Sequence, residues 1–380
     1  MIEAAKDLAE PLAQYLIGRI KAEGPLSVAD YMAEALGNQR FGYYMTREPF
    51  GQHGDFVTAP EVSQMFGELI GLWVADYWLK SGTPERLALI ELGPGRGTLM
   101  ADALRAIKAV PGLSKALRLH LVEMSPRLRD LQKQTLPPLT PDIKWHGQLA
   151  QAIEAAKGAP LIIIANEFFD ALPIHQLVST ASGWHERLVG LDEAGGNFTP
   201  LLAATPSLLS VMLAPHVALT PIGSLAEICP AGLQVIKEIA SALEAQGGAA
   251  LIIDYGTVTS AAGDSLQALT RHQYSDPFKN PGQADITAHV DFAALGRAAS
   301  SARTHGPVTQ ARFLENMGIN ARAQSLKAGA TEAQAHDIDE ALKRLTDENE
   351  MGSLFKVLGL TAPSGPLPAG FEDPNLPEDK

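Results

Sequence analysis

At roughly 150 residues per domain, 380 residues suffice for one large domain or two smaller ones, and 46% hydrophobic with 19% charged side chains describe a folded chain, not a disordered one. Thirty basic against forty-three acidic side chains leave a net charge of −13, which argues against nucleic acid or anionic lipid as the main partner and suits a basic target. The single cysteine, Cys229, excludes an internal disulfide and any zinc site built from two thiolates; with no long apolar run to span a bilayer and no signal or transit pattern in MIEAAKDLAE, a cytoplasmic location is expected.

Residues 1–80 read as a mostly helical region in which Pro11 opens one helix and Ser27 caps another. Phe66, Leu69, Ile70, Trp73, Val74, Tyr77 and Trp78 keep the spacing of a buried helix. Upstream, FGYYMTREPFGQHGDF is non-periodic, and Thr58 with Glu61 has the spacing of a capping box. From residue 81 short apolar runs alternate with helical ones. LALIEL, LRLHLVEM, IKWH, LIIIAN and AALIIDYG are strands, with helices from Thr98, after Ser125 and Pro126, and over 232–245. Such alternation predicts an α/β fold, a doubly wound, mostly parallel sheet covered on both faces. WHERLVGLDE and NFTPLL read as a hairpin around a Gly-Gly turn. The stretches near 181–225 and 262–300 break the repeat and are read as insertions in a domain of residues 81–360, which build a cap over the strand ends together with residues 1–80. The Pro-rich tail, 361–380, is expected to be loosely held.

The chemistry starts at LALIELGPGRGTLM. A buried strand ends at Glu91, and Gly93, Pro94, Gly95, Arg96 and Gly97 lead into a helix, where a turn without Cβ atoms lets a ligand approach the backbone. The dinucleotide fingerprint needs a third glycine where Thr98 stands; Glu91, Gly93, Gly95 and Gly97 instead give the ExGxGxG arrangement of S-adenosylmethionine-dependent methyltransferases. Glu123, at the tip of the next strand, can accept hydrogen bonds from both ribose hydroxyls. Gly147, Gln148 and Leu149, after the third strand, occupy the usual place of an adenine. At the end of the fourth strand, Asn166, Glu167 and Asp170 reach toward the reacting end, where carboxylates can grip a guanidinium and take its proton. Asp170 serves equally well as a turn cap before Pro173. The histidines show no HxxxH spacing, and no GxSxG elbow or phosphate-binding P-loop occurs, so a metal site, a hydrolase and a P-loop enzyme are set aside.

ELGPGRGTLM, NEFFDALPIHQL and above all GDFVTAPEVSQMFGELIG resemble the MidA family, methyltransferases related to the mitochondrial assembly factor that methylates arginine on a core complex I subunit. The likeness runs from about Leu26 to Gly318 and includes IIDYG and ADITAHVDF. It implies a class I methyltransferase fold with a seven-stranded sheet, S-adenosylmethionine as cofactor with S-adenosylhomocysteine as product, and arginine N-methylation of a protein substrate, a respiratory complex I-type subunit or its bacterial counterpart. It further implies that Gly93, Gly95 and Gly97 line the methionine end beside Glu91, and that Asn166, Glu167 and Asp170 occupy the guanidinium-binding loop. That loop has one Glu where arginine methyltransferases commonly have two. Asp55, Thr58, Glu61 and Ser63 would form a lid, and His289 would complete the substrate pocket. Two other readings stay open: a binding factor that retains the cofactor as a structural ligand, and a small-molecule methyltransferase.

Overall fold

Leu87–Leu92 (β1) is buried at every position, which requires cover on both faces. The computed structural model describes residues 2–47, 58–136, 143–270 and 273–372, with only the backbone of 2–10. The chain divides into two units: Met1–Phe56 with Asp170–Gln234 and Thr259–Ala294, and Val57–Phe169 with Val235–Val258 and Leu295–Lys380.

The second unit carries the sheet. After β1 come Leu117–Val122 (β2), Lys144–His146 (β3), Leu161–Asn166 (β4), Gly248–Thr257 (β5), Arg303–Thr309 (β6) and Phe355–Thr361 (β7). Their spatial order is β6-β7-β5-β4-β1-β2-β3. The first five strands run parallel, while β7 is antiparallel to β5 and β6 to β7. The register sets Leu92 opposite Val122 on one side and Ala165 on the other, so Glu91, Glu123 and Asn166 gather at the carboxyl ends of three adjoining strands. The order reverses beside β1, where ligands bind in open sheets of this kind.

Two helices flank the turn after β1. Gln64–Lys80 (α1) buries Phe66, Ile70, Trp73 and Tyr77 in the core that also holds Leu89, Ile164 and Leu251. Ser63 caps it, the hydroxyl accepting from the Met65 N–H. Thr98–Ile107 (α2) lies against α1 so closely that a Cβ on Gly71 would stand 2.4 Å from the Ala103 carbonyl oxygen, and one on Gly67 would stand 2.6 Å from Asp102 Cβ. Buried Glu68 of α1 receives Arg105 of α2 at 3.2 Å and Arg322 at 2.8 Å, so the helix pair buries a carboxylate with two cations around it. Pro126–Thr135 (α3) begins as the sequence predicts, with Ser125 Oγ accepting from the Leu128 N–H. Contrary to the loose tail expected, the residues after β7 are held as far as described: the Trp73 indole donates to the Ala369 carbonyl at 3.1 Å, and Ala369 and Phe371 pack on the core.

The first unit is built separately. The hairpin Gly183–Leu191 and Phe198–Pro206 forms as its pattern predicts, and its first strand also pairs with Leu26–Ser27 and His175–Thr180. A second small sheet joins Gln267–Thr270, Gln273–Ser275 and Asp285–Thr287. Leu12, Leu16, Tyr31, Met32, Val189 and Ile286 belong to its core.

Gly71→Ala tests the α1–α2 contact. Alanine is the better helix former by about 1 kcal/mol, but a Cβ against backbone forces the helices apart at about 1–3 kcal/mol or more. Net destabilisation is therefore expected in urea unfolding. Gly18→Ala, on an exposed helix position with nothing within 4 Å, should stabilise by about 0.5–1 kcal/mol.

Candidate functional site

The turn after β1 has the conformation its glycines allow. Gly93, Gly95 and Gly97 have φ of +60°, +53° and +86°, the left-handed region that side chains disfavour. The Gly93 N–H donates to the Val122 carbonyl at 3.0 Å and the Gly97 N–H to the Pro94 carbonyl at 2.8 Å. Pro94 is buried, while Gly93 faces outward and Gly95 is half-buried, leaving backbone open to a ligand.

Glu91 is 3% exposed, and its Oε2 has no hydrogen-bond partner among the described residues. Burial alone pushes its carboxyl up to about 8. Glu123 is also buried and its pKa is raised, burial outweighing the hydrogen bonds of the Ser125 N–H and the Gln132 amide. The Glu123 backbone N–H donates to the His146 carbonyl at 3.0 Å, which ties the tip of β2 to β3. Beyond it, Gly147 is half-buried with its N–H on Gln151 Oε1, Gln148 is exposed, and Leu149 is buried at the start of a short helix. His146 is structural: its Nε2 lies 3.0 Å from Nδ1 of His120, the rings stack, and burial lowers His120 to about 4.

At the end of β4 the chain turns sharply on Glu167, whose φ of +50° is rare for a non-glycine residue and is held against its cost. The Glu167 N–H donates to the Ile253 carbonyl at 2.9 Å. Glu167 Oε1 accepts from the Ala59 N–H at 3.0 Å and the Asn166 amide at 3.2 Å. Asn166 Oδ1 is buried with no partner among the described residues.

The TAPEVS segment differs from its capping-box reading. Thr58 precedes a short helix, Ala59–Val62, without a side-chain cap bond. Glu61 instead accepts from the Thr98 hydroxyl at 2.6 Å, just past the glycine turn, and Ser63 caps α1. Glu61 keeps its capping-box spacing from Thr58 whichever partner it takes, so sequence could not separate the two. Asp55 lies outside the described residues.

Asp170 and His289 belong to the first unit. Asp170 is buried, with its carbonyl accepting from the Ala288 N–H at 3.0 Å. Burial, then the charges of Asp285 and Asp170, hold the Tyr44 phenol well above its usual range, and that phenol donates to Asp285 at 2.9 Å. The His289 side chain is exposed and its N–H donates to the Ser265 hydroxyl. Burial pushes the Cys229 thiol up to about 11, which disfavours the thiolate that a nucleophile needs.

Two residues of the site escape sequence reasoning. Gln132 of α3, fully buried, donates to the Gly95 carbonyl at 2.8 Å and accepts from the Trp145 indole at 2.9 Å, clasping turn and β3 together. Fully buried Asp254 of β5 accepts from the N–H groups of Phe168 and Phe169 at 3.2 and 2.9 Å and fixes the loop that carries Glu167. A lone carboxylate ending the apolar run LIID was the available signal.

A family model described as S-adenosyl-L-methionine-dependent methyltransferase matches residues 69–308. The chain is 36% identical over 388 residues to the protein arginine methyltransferase NDUFAF7, mitochondrial, of Xenopus tropicalis, covering 94% of this chain and 87% of that one. Its identity to the protein of the same name from Mus musculus is 36% over 401 residues, covering 97% and 88%. Among solved structures it is similar to a Burkholderia thailandensis protein bound to S-adenosyl-homocysteine, with a TM-score of 0.80, 29% identity, and coverage of 97% of this chain and 95% of that one.

Glu91 gives a pH test. Its folded carboxyl binds a proton more tightly than an unfolded one, so its contribution to stability falls as pH rises from about 4.5 to about 8 and is level above. Glu91→Gln should match the wild type near pH 4.5 and exceed it by a few kcal/mol, order of magnitude, at pH 8.5. Urea midpoints across that range check this; a gap that does not grow with pH would contradict the isolated buried carboxyl.

Proposed function

We propose that this chain, which belongs to the S-adenosyl-L-methionine-dependent methyltransferase family, N-methylates an arginine side chain of a protein. The relatives named protein arginine methyltransferase support the target chemistry, and the net charge of −13 suits a cationic substrate. The MidA resemblance extends the reading to a respiratory complex I-type subunit in a cytoplasmic setting. No helix among the described residues is long and apolar enough to cross a membrane.

The residues at the strand ends fit the cofactor. The buried Glu91 side chain, whose Oε2 has no hydrogen-bond partner among the described residues, suits an ammonium group, and the open backbone of Gly93 and Gly95 accommodates a close ligand. Glu123, its carboxylate held by the Ser125 N–H and Gln132, would accept from ribose hydroxyls, with Gly147, Gln148 and Leu149 beside the base. S-adenosylmethionine, when bound, supplies an electrophilic methyl group. The rest of the work falls to the chain. Glu167 carries the proposal because its left-handed backbone and the two donors on its Oε1 fix the carboxylate in one orientation. A fixed carboxylate can accept two N–H groups of a guanidinium, point a third nitrogen toward the reacting methyl, and take the proton lost on transfer. Glu61, bonded to Thr98, would hold the TAPEVS segment against the turn.

Calorimetric titration of S-adenosylmethionine and methyl-transfer assays on an arginine-containing substrate protein test this together. Gly95→Val, which puts a branched side chain on a left-handed backbone that a ligand must approach, and Glu123→Ala, which removes a charged hydrogen bond worth about 1.5–3 kcal/mol, should each weaken cofactor binding by about tenfold or more. Glu167→Gln should bind cofactor like the wild type and lose methyl transfer. Full activity in Glu167→Gln sinks the assigned role; unchanged binding in folded Gly95→Val and Glu123→Ala sinks the cofactor site.

A further inference from the structure

Asn166 Oδ1 is, like Glu91 Oε2, a buried acceptor at a strand end with no hydrogen-bond partner among the described residues. Buried polar atoms are nearly always paired, so each exception needs a reason. For Glu91 an ammonium group supplies one. For Asn166 the amide has first to be oriented, and its neighbour does that. Glu167 Oε1 already accepts from the Ala59 N–H at 3.0 Å, so the amide atom 3.2 Å from it is the donor Nδ2. The reversed amide would set two acceptors against one another. Oδ1 is therefore turned away from Glu167 and left to accept from something else.

Its place in the sheet narrows the choice. Leu92 stands opposite Ala165, so Asn166 follows alongside Gly93, the first residue of the glycine turn. From β4 the strand order runs through β1 and β2 to β3, that is, from Asn166 past the turn and Glu123 to Gly147, Gln148 and Leu149. With the base beyond β3, the ribose at Glu123 and the methionine end over the turn, β4 flanks the methionine end. Two groups there carry positive charge, the ammonium and the sulfonium, and chemistry divides them. An ammonium offers three N–H donors and suits a carboxyl group such as Glu91. A sulfonium methyl offers only polarised C–H groups, and a carboxylate facing an electrophilic methyl would compete as the nucleophile. An amide oxygen is neutral and still accepts. We propose that Asn166 Oδ1 accepts C–H groups of the sulfonium methyl, so that the site distinguishes S-adenosylmethionine from its demethylated product. This contact rests on the cofactor placement given above and not on the arginine target.

Calorimetric titration of S-adenosylmethionine and S-adenosylhomocysteine into the full chain tests it. Both ligands carry the ammonium, the ribose and the base, so the ratio of their affinities reads the methyl-bearing sulfur alone. Asn166→Leu, of similar volume, should weaken S-adenosylmethionine by about fivefold relative to S-adenosylhomocysteine. Asn166→Asp, which keeps an oxygen at the position, should retain the wild-type ratio or raise it. Circular dichroism verifies folding of each variant. An unchanged ratio in folded Asn166→Leu overturns the proposal, and so does an equal loss for both ligands, which would assign Oδ1 to a group that they share. A second measurement needs no variant. Bound to the wild type, S-adenosylmethionine labelled with carbon-13 in its methyl group should show methyl proton resonances downfield of the free cofactor, and an unshifted signal overturns the contact. Glu123→Ala separates the contact from the placement beneath it. If that variant leaves both affinities unchanged, the placement fails and the contact with it. If it weakens both ligands while Asn166→Leu keeps the wild-type ratio, the contact alone fails.

Discussion

A parallel sheet covered on both faces has only its edges and strand ends at which to place polar groups. The second unit obeys that constraint. Leu89, Ile162, Ile163, Ile164, Leu251 and Ile253 fill the strand interiors, and the first carboxylates and amides appear at Glu91, Glu123, Asn166 and Asp254, all near the carboxyl ends. Since these groups are themselves buried, each needs a partner, a proton or a ligand. Asp254 finds backbone N–H groups, and Glu123 finds Ser125 and Gln132. Glu91 Oε2 and Asn166 Oδ1 find nothing among the described residues. These two atoms lie at the switch point of the sheet, where open sheets of this kind bind ligands.

Positions at the strand ends are fixed by buried polar residues of neighbouring elements. Gln132 spends its donor on Gly95 and its acceptor on Trp145, so one side chain joins α3, the glycine turn and β3. Asp254 does the same for β5 and the loop after β4, using one carboxylate oxygen for Phe168 and Phe169 and the other for the Tyr255 N–H at 2.9 Å. That second clasp offsets the cost of a left-handed Glu167, of order 1–3 kcal/mol for such backbones.

The parts legible in sequence were those that one segment specifies by itself. Apolar runs announced β1 to β5, Ser125 and Pro126 announced α3, and three alternate glycines announced a backbone turn that side chains would resist. What stayed hidden depends on partners far along the chain. Glu61 has the same spacing from Thr58 whether it caps a helix or reaches Thr98, and only the fold decides. Arg303–Thr309 contains Gly306 and Pro307 and joins the sheet by pairing with β7, some fifty residues later, outside any strand-helix repeat. Gln132 is one polar residue on a helix until β3 brings Trp145 to it. The tail looked loose because proline content says nothing of an indole waiting at Trp73.

The charge at the centre of the site follows from the same constraint. With burial pushing its carboxyl up to about 8, Glu91 favours the protonated form at neutral pH, which lowers the cost of burying it. A cation arriving there would favour the carboxylate and release the proton, coupling ligand binding to ionisation. Glu123 is biased in the same direction by burial, but its N–H and amide donors favour the charged form and oppose that shift. Two glutamates at the tips of neighbouring strands thereby answer differently to one ligand. Glu91 would gain its charge only with a cation beside it, while the donors around Glu123 already oppose the effect of burial. That division needs no difference in residue type, only the presence of Ser125 and Gln132 at one strand end and their absence at the other.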